Sequence, residues 1–216
     1  MSRPCPIIVM AKAPVAGEAK TRLIPALGAQ GAAALAECLL ERTLDQALSA
    51  AVGPVDLCCA PDSRHPAFAR HASWSGITLS QQGDGDLGAR MARAFERCLA
   101  GAGQALLIGT DAPALDAALL RRAAAALQQA DAVFVPAHDG GYALIGLRRP
   151  APALFSAMPW STPEVMALTR VRLAQAGLRH TELPAVHDID QPADLVHLPA
   201  QWLPRPSAQA RVSSED

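Results

Sequence analysis

The chain has 216 residues, half of them hydrophobic, with 19 Lys and Arg against 20 Asp and Glu for a net charge of -1. That length and hydrophobic content suit one α/β domain with a sizeable core. The even charge balance lacks the basic excess of a nucleic-acid binder, yet a few cations and backbone N–H groups suffice to hold a small anion.

In chain order, residues 6–11 (PIIVMA) read as a buried strand, followed by a loop over 12–28 punctuated by Gly and Pro. Residues 30–51 read as a helix, with Leu35, Leu39, Leu40, Leu44 and Ala47 at spacings of three and four. Strands are expected at 55–60 and 77–80, then a helix at 87–100 with Met91, Phe95, Cys98 and Leu99 on one face. ALLIG at 105–109 is the plainest strand in the chain, before a helix at 115–130 and strands at 132–136 and 142–147.

Ser161 or Thr162 is expected to cap a helix that begins at Pro163, reaches Ala176 and stops at Gly177. A last strand at 178–183 and a short helix opened by Pro192 complete a domain of residues 1–198. From Pro199 the composition shifts to Pro, Ser, Gln and charge, the pattern of a loosely ordered tail over 199–216. Alternating strands and helices imply a mostly parallel sheet covered on both faces.

The five cysteines include no C-x-x-C pair, so they are expected to be free thiols rather than metal ligands or a redox pair. The six histidines show no ligand spacing. The first apolar run is too short for a secretory leader, and no stretch reaches about 18 uncharged apolar residues. A cytoplasmic protein without membrane or nucleic-acid partners is the expectation.

Ligands of such sheets sit beyond the carboxyl ends of the strands. Five segments at or near strand ends carry polar residues suited to chemistry. The first, AKAPVAGEAKTRL, holds Lys12, Lys20 and Arg22 around Gly17, as a phosphate-wrapping loop would. In the second, LLIGTDAP, Asp111 follows a strand that Pro113 prevents from continuing. It suits Mg²⁺ or Mn²⁺, although a carboxylate there would serve equally as cap of the next helix.

The third segment, HDIDQPAD, places Asp188 and Asp190 two residues apart, on the same side of an extended strand. Metal ligation and helix capping compete for Asp190. The fourth, PAHDGGYALIG, offers Asp139, Gly140, Gly141 and Tyr142 in a turn that lets backbone approach a ligand. The fifth, QQGDGDLGARM, has Gly83, Gly85 and Gly88 as if to pass close to something flat such as a base. Asp86 either joins a D-x-D-like metal motif or starts the following helix.

Jointly and in order, K-A-P-x-x-G-x-x-K-T-R-L, G-D-L-G-x-R-M, I-G-T-D-A-P, D-G-G-Y-x-L-I-G, W-S-T (Trp160 to Thr162) and D-I-D-Q-P-A-D-L span residues 12–195. This set resembles a GT-A-like transferase family long labelled a domain of unknown function. Some of its members carry the names arsenosugar-biosynthesis glycosyltransferase or radical-SAM-associated transferase. More distantly the layout is similar to molybdopterin-, guanylyl- and phospholactate-type nucleotidyltransferases. Their D-x-D-T-P-E-D-like ending here has Gln191 and Ala193 in place of Thr and Glu.

The resemblance implies a single nucleotide-diphospho-sugar transferase (GT-A, Rossmann-like) domain. It places nucleotide phosphates on Lys12, Gly17, Lys20 and Arg22, and the base near Gly85, Asp86 and Gly88. Mg or Mn would sit on Asp111 with Asp188 or Asp190. The sugar or acceptor would lie among Asp139, Gly140, Gly141, Tyr142 and Trp160. Asp111, Asp139 and Lys20 become the catalytic candidates, with Asp139 as base. Partners are then a nucleotide or nucleotide-sugar and a small-molecule acceptor. Glycosyl transfer, nucleotidyl transfer with pyrophosphate release, and a non-catalytic nucleotide-binding module are the three readings.

Overall fold

Ile7–Lys12 forms β1, whose residues alternate between two cores. Ile7, Val9 and Ala11 face one apolar cluster, whereas Ile8 and Met10 face the other. A strand apolar on both faces belongs in the interior of a sheet. β1 accordingly pairs in parallel with β2 (Val55–Ala60) on one side and with β4 (Ala105–Ile108) on the other. The computed structural model describes residues 3–203.

Outside β2 lies β3 (Ile77–Gln81). Beyond β4 come β6 (Tyr142–Leu147), β5 (Ala132–Pro136) and β7 (His180–Glu182), giving the order β3-β2-β1-β4-β6-β5-β7. Only β6 is antiparallel to its neighbours. The sheet is therefore mostly parallel, as expected, and the reversal puts the start of β6 at the edge where the other strands end.

Helices α1 (Ile24–Ala50) and α4 (Ala117–Ala126) contribute to the core that contains Val9, Leu106 and Val135. The opposite face is covered by α3 (Leu87–Ala102) and α5 (Val165–Gln175), which bury Met91, Phe95, Met166 and Leu173 with Phe134 and Ile145. A four-residue helix, α2 (Pro66–Ala69), follows β2. All five cysteines are free thiols.

Several boundaries differ from the sequence pattern. The first loop is shorter than 12–28, because a 3-10 turn at Thr21–Leu23 leads into α1 at Ile24, with Pro25 in its first turn. Gly28 (φ 70°) breaks that helix locally, which is why its periodicity is plain only from residue 30. The run Thr21–Ala50 is long and apolar enough to cross a membrane, with an 18-residue stretch of mean hydropathy 1.5. Here Leu35, Leu39, Leu40 and Leu44 are buried in the protein, and Glu37 and Glu41 pair with Arg70.

The cap of α4 is Asp116, which accepts from Leu119 N at 2.7 Å, so Asp111 is released from that role. Neither Ser161 nor Thr162 caps α5. Ser161 is left-handed (φ 65°), and the Thr162 hydroxyl donates to Pro159 O at 2.8 Å. The helix starts instead after Glu164, which gives no side-chain cap. β7 is shorter than 178–183 because Leu178 N closes the end of α5 on Leu173 O. Of the expected tail, Ala200–Trp202 makes a 3-10 turn, with the Arg42 guanidinium 3.7 Å from the Trp202 ring centre. Residues 204–216 lie outside the described residues.

Candidate functional site

A cleft of about 550 Å³ opens at the carboxyl edge of the sheet. Ten residues singled out from the sequence line it: Lys12, Lys20, Arg22, Asp111, Asp139, Gly141, Tyr142, Trp160, Asp188 and Asp190. They come from segments 12–22, 111, 139–142, 160 and 188–190. The sheet order explains the meeting, since β1, β4 and the reversed β6 are consecutive neighbours.

The loop after β1 curls on itself: Lys12 Nζ donates to Glu18 O at 2.9 Å, and Gly17 (φ 85°) makes the turn. Gly17 does not line the cleft. Lys20 has a left-handed backbone (φ 45°, ψ 49°), uncommon for a side-chain-bearing residue and a mark of local strain at functional positions. Its ammonium donates to Asp111 Oδ1 at 2.5 Å and to Ile189 O at 2.6 Å. The Lys20 side chain is 7% exposed and that of Asp111 53%, so the ammonium lies beneath a carboxylate open to the cleft.

Asp111 stands just past β4, and its carbonyl accepts from Ile189 N at 2.8 Å. That backbone bond brings the HDID segment to the end of β4. Asp190 is not a helix cap: Gln191 is the cap residue, and the Asp194 carboxylate accepts from both Asp190 N and Gln191 N. Asp190 pairs with Arg22 instead. All three cations of the first loop are thus engaged by the protein itself, two of them by carboxylates at the cleft.

Asp188 is half-buried, and its carboxyl is pushed up, first by burial and then by the nearby charge of Asp139 and, more weakly, of Asp111. A cation placed among these carboxylates would relieve both penalties. Among the described residues no three His, Cys, Asp or Glu stand close enough to cage a metal. The donor set nevertheless suits Mg²⁺ or Mn²⁺, which bind through one or two carboxylates and leave their other positions to water and substrate phosphates. Asp111 and Asp188 are the residues that would hold it.

In the β5–β6 turn, Asp139 Oδ1 accepts from Gly141 N at 2.8 Å, leaving its second oxygen uncommitted in an exposed position. Gly140 (φ 93°) does not line the cleft. A β-carbon there would lie 2.2 Å from Pro163 O, so Gly140 permits the turn to press on the Trp160–Pro163 loop. Its own carbonyl accepts from Met166 N at 2.8 Å.

The expected base-contacting group is not brought to the cleft. Asp86 caps α3 by accepting from Ala89 N at 2.8 Å and does not line the cleft. Gly85 (φ 98°) forms the turn before that cap, and its carbonyl accepts from Arg90. Gly88 is buried: a β-carbon would meet Phe155 O at 2.5 Å and the Trp160 indole at 3.1 Å. Its flat neighbour is the protein's own tryptophan.

Sequence reasoning missed Gln82, Thr110, Ser161 and Met10 as lining residues. Gln82 is buried and its amide donates to Ala11 O and Cys58 O, tying the ends of β1 and β2. Thr110 and Ser161 were visible within I-G-T-D-A-P and W-S-T, whereas nothing distinguished Met10 or Gln82. His138, His187 and His197 stack in series, with ring centres 4.2 and 3.7 Å apart, and none lines this cleft.

The family described as an uncharacterized protein conserved in bacteria (DUF2064) matches residues 43–162, more than half of the chain. The chain belongs to this family. A candidate nucleotide-diphospho-sugar transferase from Desulfovibrio desulfuricans G20 is 30% identical, with a TM-score of 0.81 over 90% of this chain and 85% of that one. A nucleotidyl transferase from Methanothermobacter gives a TM-score of 0.61 at 18% identity, over 94% and 99% of the two chains. A CMP:2-keto-3-deoxy-manno-octonic acid synthetase, solved with CTP, gives 0.54 at 15% identity, over 91% and 96%. At such identities the last two show the fold alone. No curated protein sequence matches the chain. This DUF2064 member therefore shares the α/β fold of solved structures named as nucleotide-sugar and nucleotidyl transferases.

Proposed function

We propose that this protein is a metal-dependent glycosyltransferase that takes its sugar from a nucleotide-diphospho-sugar. The observation that carries the reading is the meeting of Lys12, Lys20 and Arg22 with Asp111, Asp139 and Asp188 around one cleft. A pyrophosphate–metal pair needs both signs of charge in one place. A module that merely sensed a nucleotide has no use for several carboxylates there.

Asp111 and Asp188 would hold Mg²⁺ or Mn²⁺, which when bound supplies charge to the departing diphosphate. Lys12 and Arg22 would donate to phosphate oxygens, Arg22 by exchanging Asp190 for phosphate. Lys20 keeps Asp111 in place and has one further N–H to offer. The acceptor hydroxyl oxygen forms its bond to the anomeric carbon while the bond from that carbon to the β-phosphate oxygen breaks. The electron pair leaves with the nucleoside diphosphate, and the hydroxyl proton passes to the uncommitted oxygen of Asp139. Free thiols and phosphorylated donors fit a cytoplasmic setting.

Nucleotidyl transfer is the second reading, favoured by the fold relatives named as a nucleotidyl transferase and as a synthetase complexed with CTP. There an acceptor attacks the α-phosphate and pyrophosphate departs. A thermal-shift screen of NTPs, NDPs and NDP-sugars with Mg²⁺, Mn²⁺ or EDTA separates the two. A ligand at a hundred times its Kd adds about 2.7 kcal/mol. Metal-dependent stabilisation by an NDP-sugar beyond its parent NTP is expected. Preference for an NTP selects the second reading, and silence across the panel overturns both.

A further inference from the structure

The cleft is not uniform along the sheet edge. The cations Lys12, Lys20 and Arg22 all come from the end of β1 and the loop after it, whereas the lining of the β6 side carries Asp139 and Tyr142 and, among the described residues, no cation. On the sheet face covered by α3 and α5 the cleft walls are neutral: Met10, Met91 and Leu107 lie there with Tyr142 and Trp160. Met10, Met91, Leu107, Tyr142 and Trp160 all belong to, or pack on, the core shared with α3 and α5.

Two polar atoms interrupt this neutral region. The Tyr142 hydroxyl and the Trp160 indole N–H are both buried and have no hydrogen-bond partner among the described residues. Such groups forfeit the hydrogen bonds that water would give them and ask for an explanation. Neither ring has an easy alternative. Tyr142 is wedged edge-on between Phe134 (centres 5.4 Å apart) and Trp160 (6.5 Å), and Trp160 rests on Gly88. Burial also pushes the Tyr142 hydroxyl up, which keeps it a donor across the working pH range.

Deepening the transferase reading on which it rests, we infer that the acceptor is an uncharged alcohol on an apolar body, with Tyr142 O–H and Trp160 N–H donating to its oxygen atoms. An indole N–H only donates, so at least one partner atom must accept. A phosphorylated acceptor would need a free cation on this side, and the Lys and Arg residues that line the cleft lie on the loop after β1. The acceptor hydroxyl then lies between the donor's reacting centre and Asp139, at the start of the same turn.

Benzyl alcohol, toluene and benzyl phosphate are matched probes, titrated against the full chain by saturation-transfer NMR. Benzyl alcohol is expected to bind at least tenfold more tightly than benzyl phosphate. Tyr142→Phe should weaken the alcohol about fivefold and toluene less than twofold. Trp160→Phe, which keeps an aromatic wall and removes the N–H, should act in the same direction. Tighter binding of the phosphate, equal losses for alcohol and toluene, or no alcohol binding by the unmodified protein would each overturn the inference. None of these probes carries a nucleotide, so failure here is distinct from failure of the nucleotide and metal screen.

Discussion

Two loops of this protein look alike in sequence and do opposite work. Residues 12–23 and 81–91 each leave a parallel strand, contain glycine and charge, and enter a helix. The first delivers Lys12, Lys20 and Arg22 to the cleft. The second lends Gln82, Leu87 and Met91 to the lining but no charge, and uses its remaining groups on its own packing: Arg93 donates to Gln82 O and Asp84 O, Asp86 caps α3, and Gly88 seats Trp160. Glycine signals that something comes close, without saying whether that something is ligand or protein. A cation beside an oxygen-rich cleft is the more discriminating sign.

The contrast can be broken most sharply at Gly88. Gly88→Ala forces a β-carbon against the Phe155 carbonyl, and overpacking of this kind costs about 1–3 kcal/mol. Denaturant unfolding should show that loss, and an unchanged midpoint would mean that the second loop is not a packing element. Lys20→Ala should do the converse. Loss of a charge-assisted partner costs about 2 kcal/mol, or roughly thirtyfold, in nucleoside diphosphate affinity, with little change for the free nucleoside. Equal losses for both ligands in calorimetry would remove Lys20 from the phosphate site.

Asp86→Ala sharpens the comparison. Removing the α3 cap should lower stability by about 1 kcal/mol, while nucleotide affinity stays as in the unmodified protein. A drop in affinity would give Asp86 a place in the site. Away from both loops, Arg170 holds the Glu182 carboxyl below the usual range through a bidentate pair at 2.7 and 2.8 Å. A depressed carboxylate stabilises the fold above its unfolded value and loses that contribution as pH falls through the folded value. The stability gap between the unmodified protein and Glu182→Gln should therefore be under ~1 kcal/mol at neutral pH and close below pH 4.5.

The order of strands and helices was legible because each strand is a short apolar run and each long helix carries spaced leucines. The antiparallel course of β6 was not, since period and composition do not encode direction. Helix starts were misplaced where a nearer candidate existed: Asp116 for Asp111, Glu164 for Thr162. The carboxylates and cations of the site could be read because each follows or opens a strand. Their pairing, Lys20 with Asp111 and Arg22 with Asp190, joins residues 91 and 168 positions apart, which no local pattern reports.

The reversal of β6 has an evolutionary consequence. In a wholly parallel sheet every connection at the active edge begins a crossover, so changing its length disturbs a helix as well. The β5–β6 turn only joins two neighbouring strands. Around Asp139 it can lengthen or change its chemistry while the β1–β4 part of the cleft stays untouched. Divergence among related proteins should therefore concentrate in that hairpin and in the Pro163 loop pressed against it. New acceptors could then be explored by exchanging one short turn.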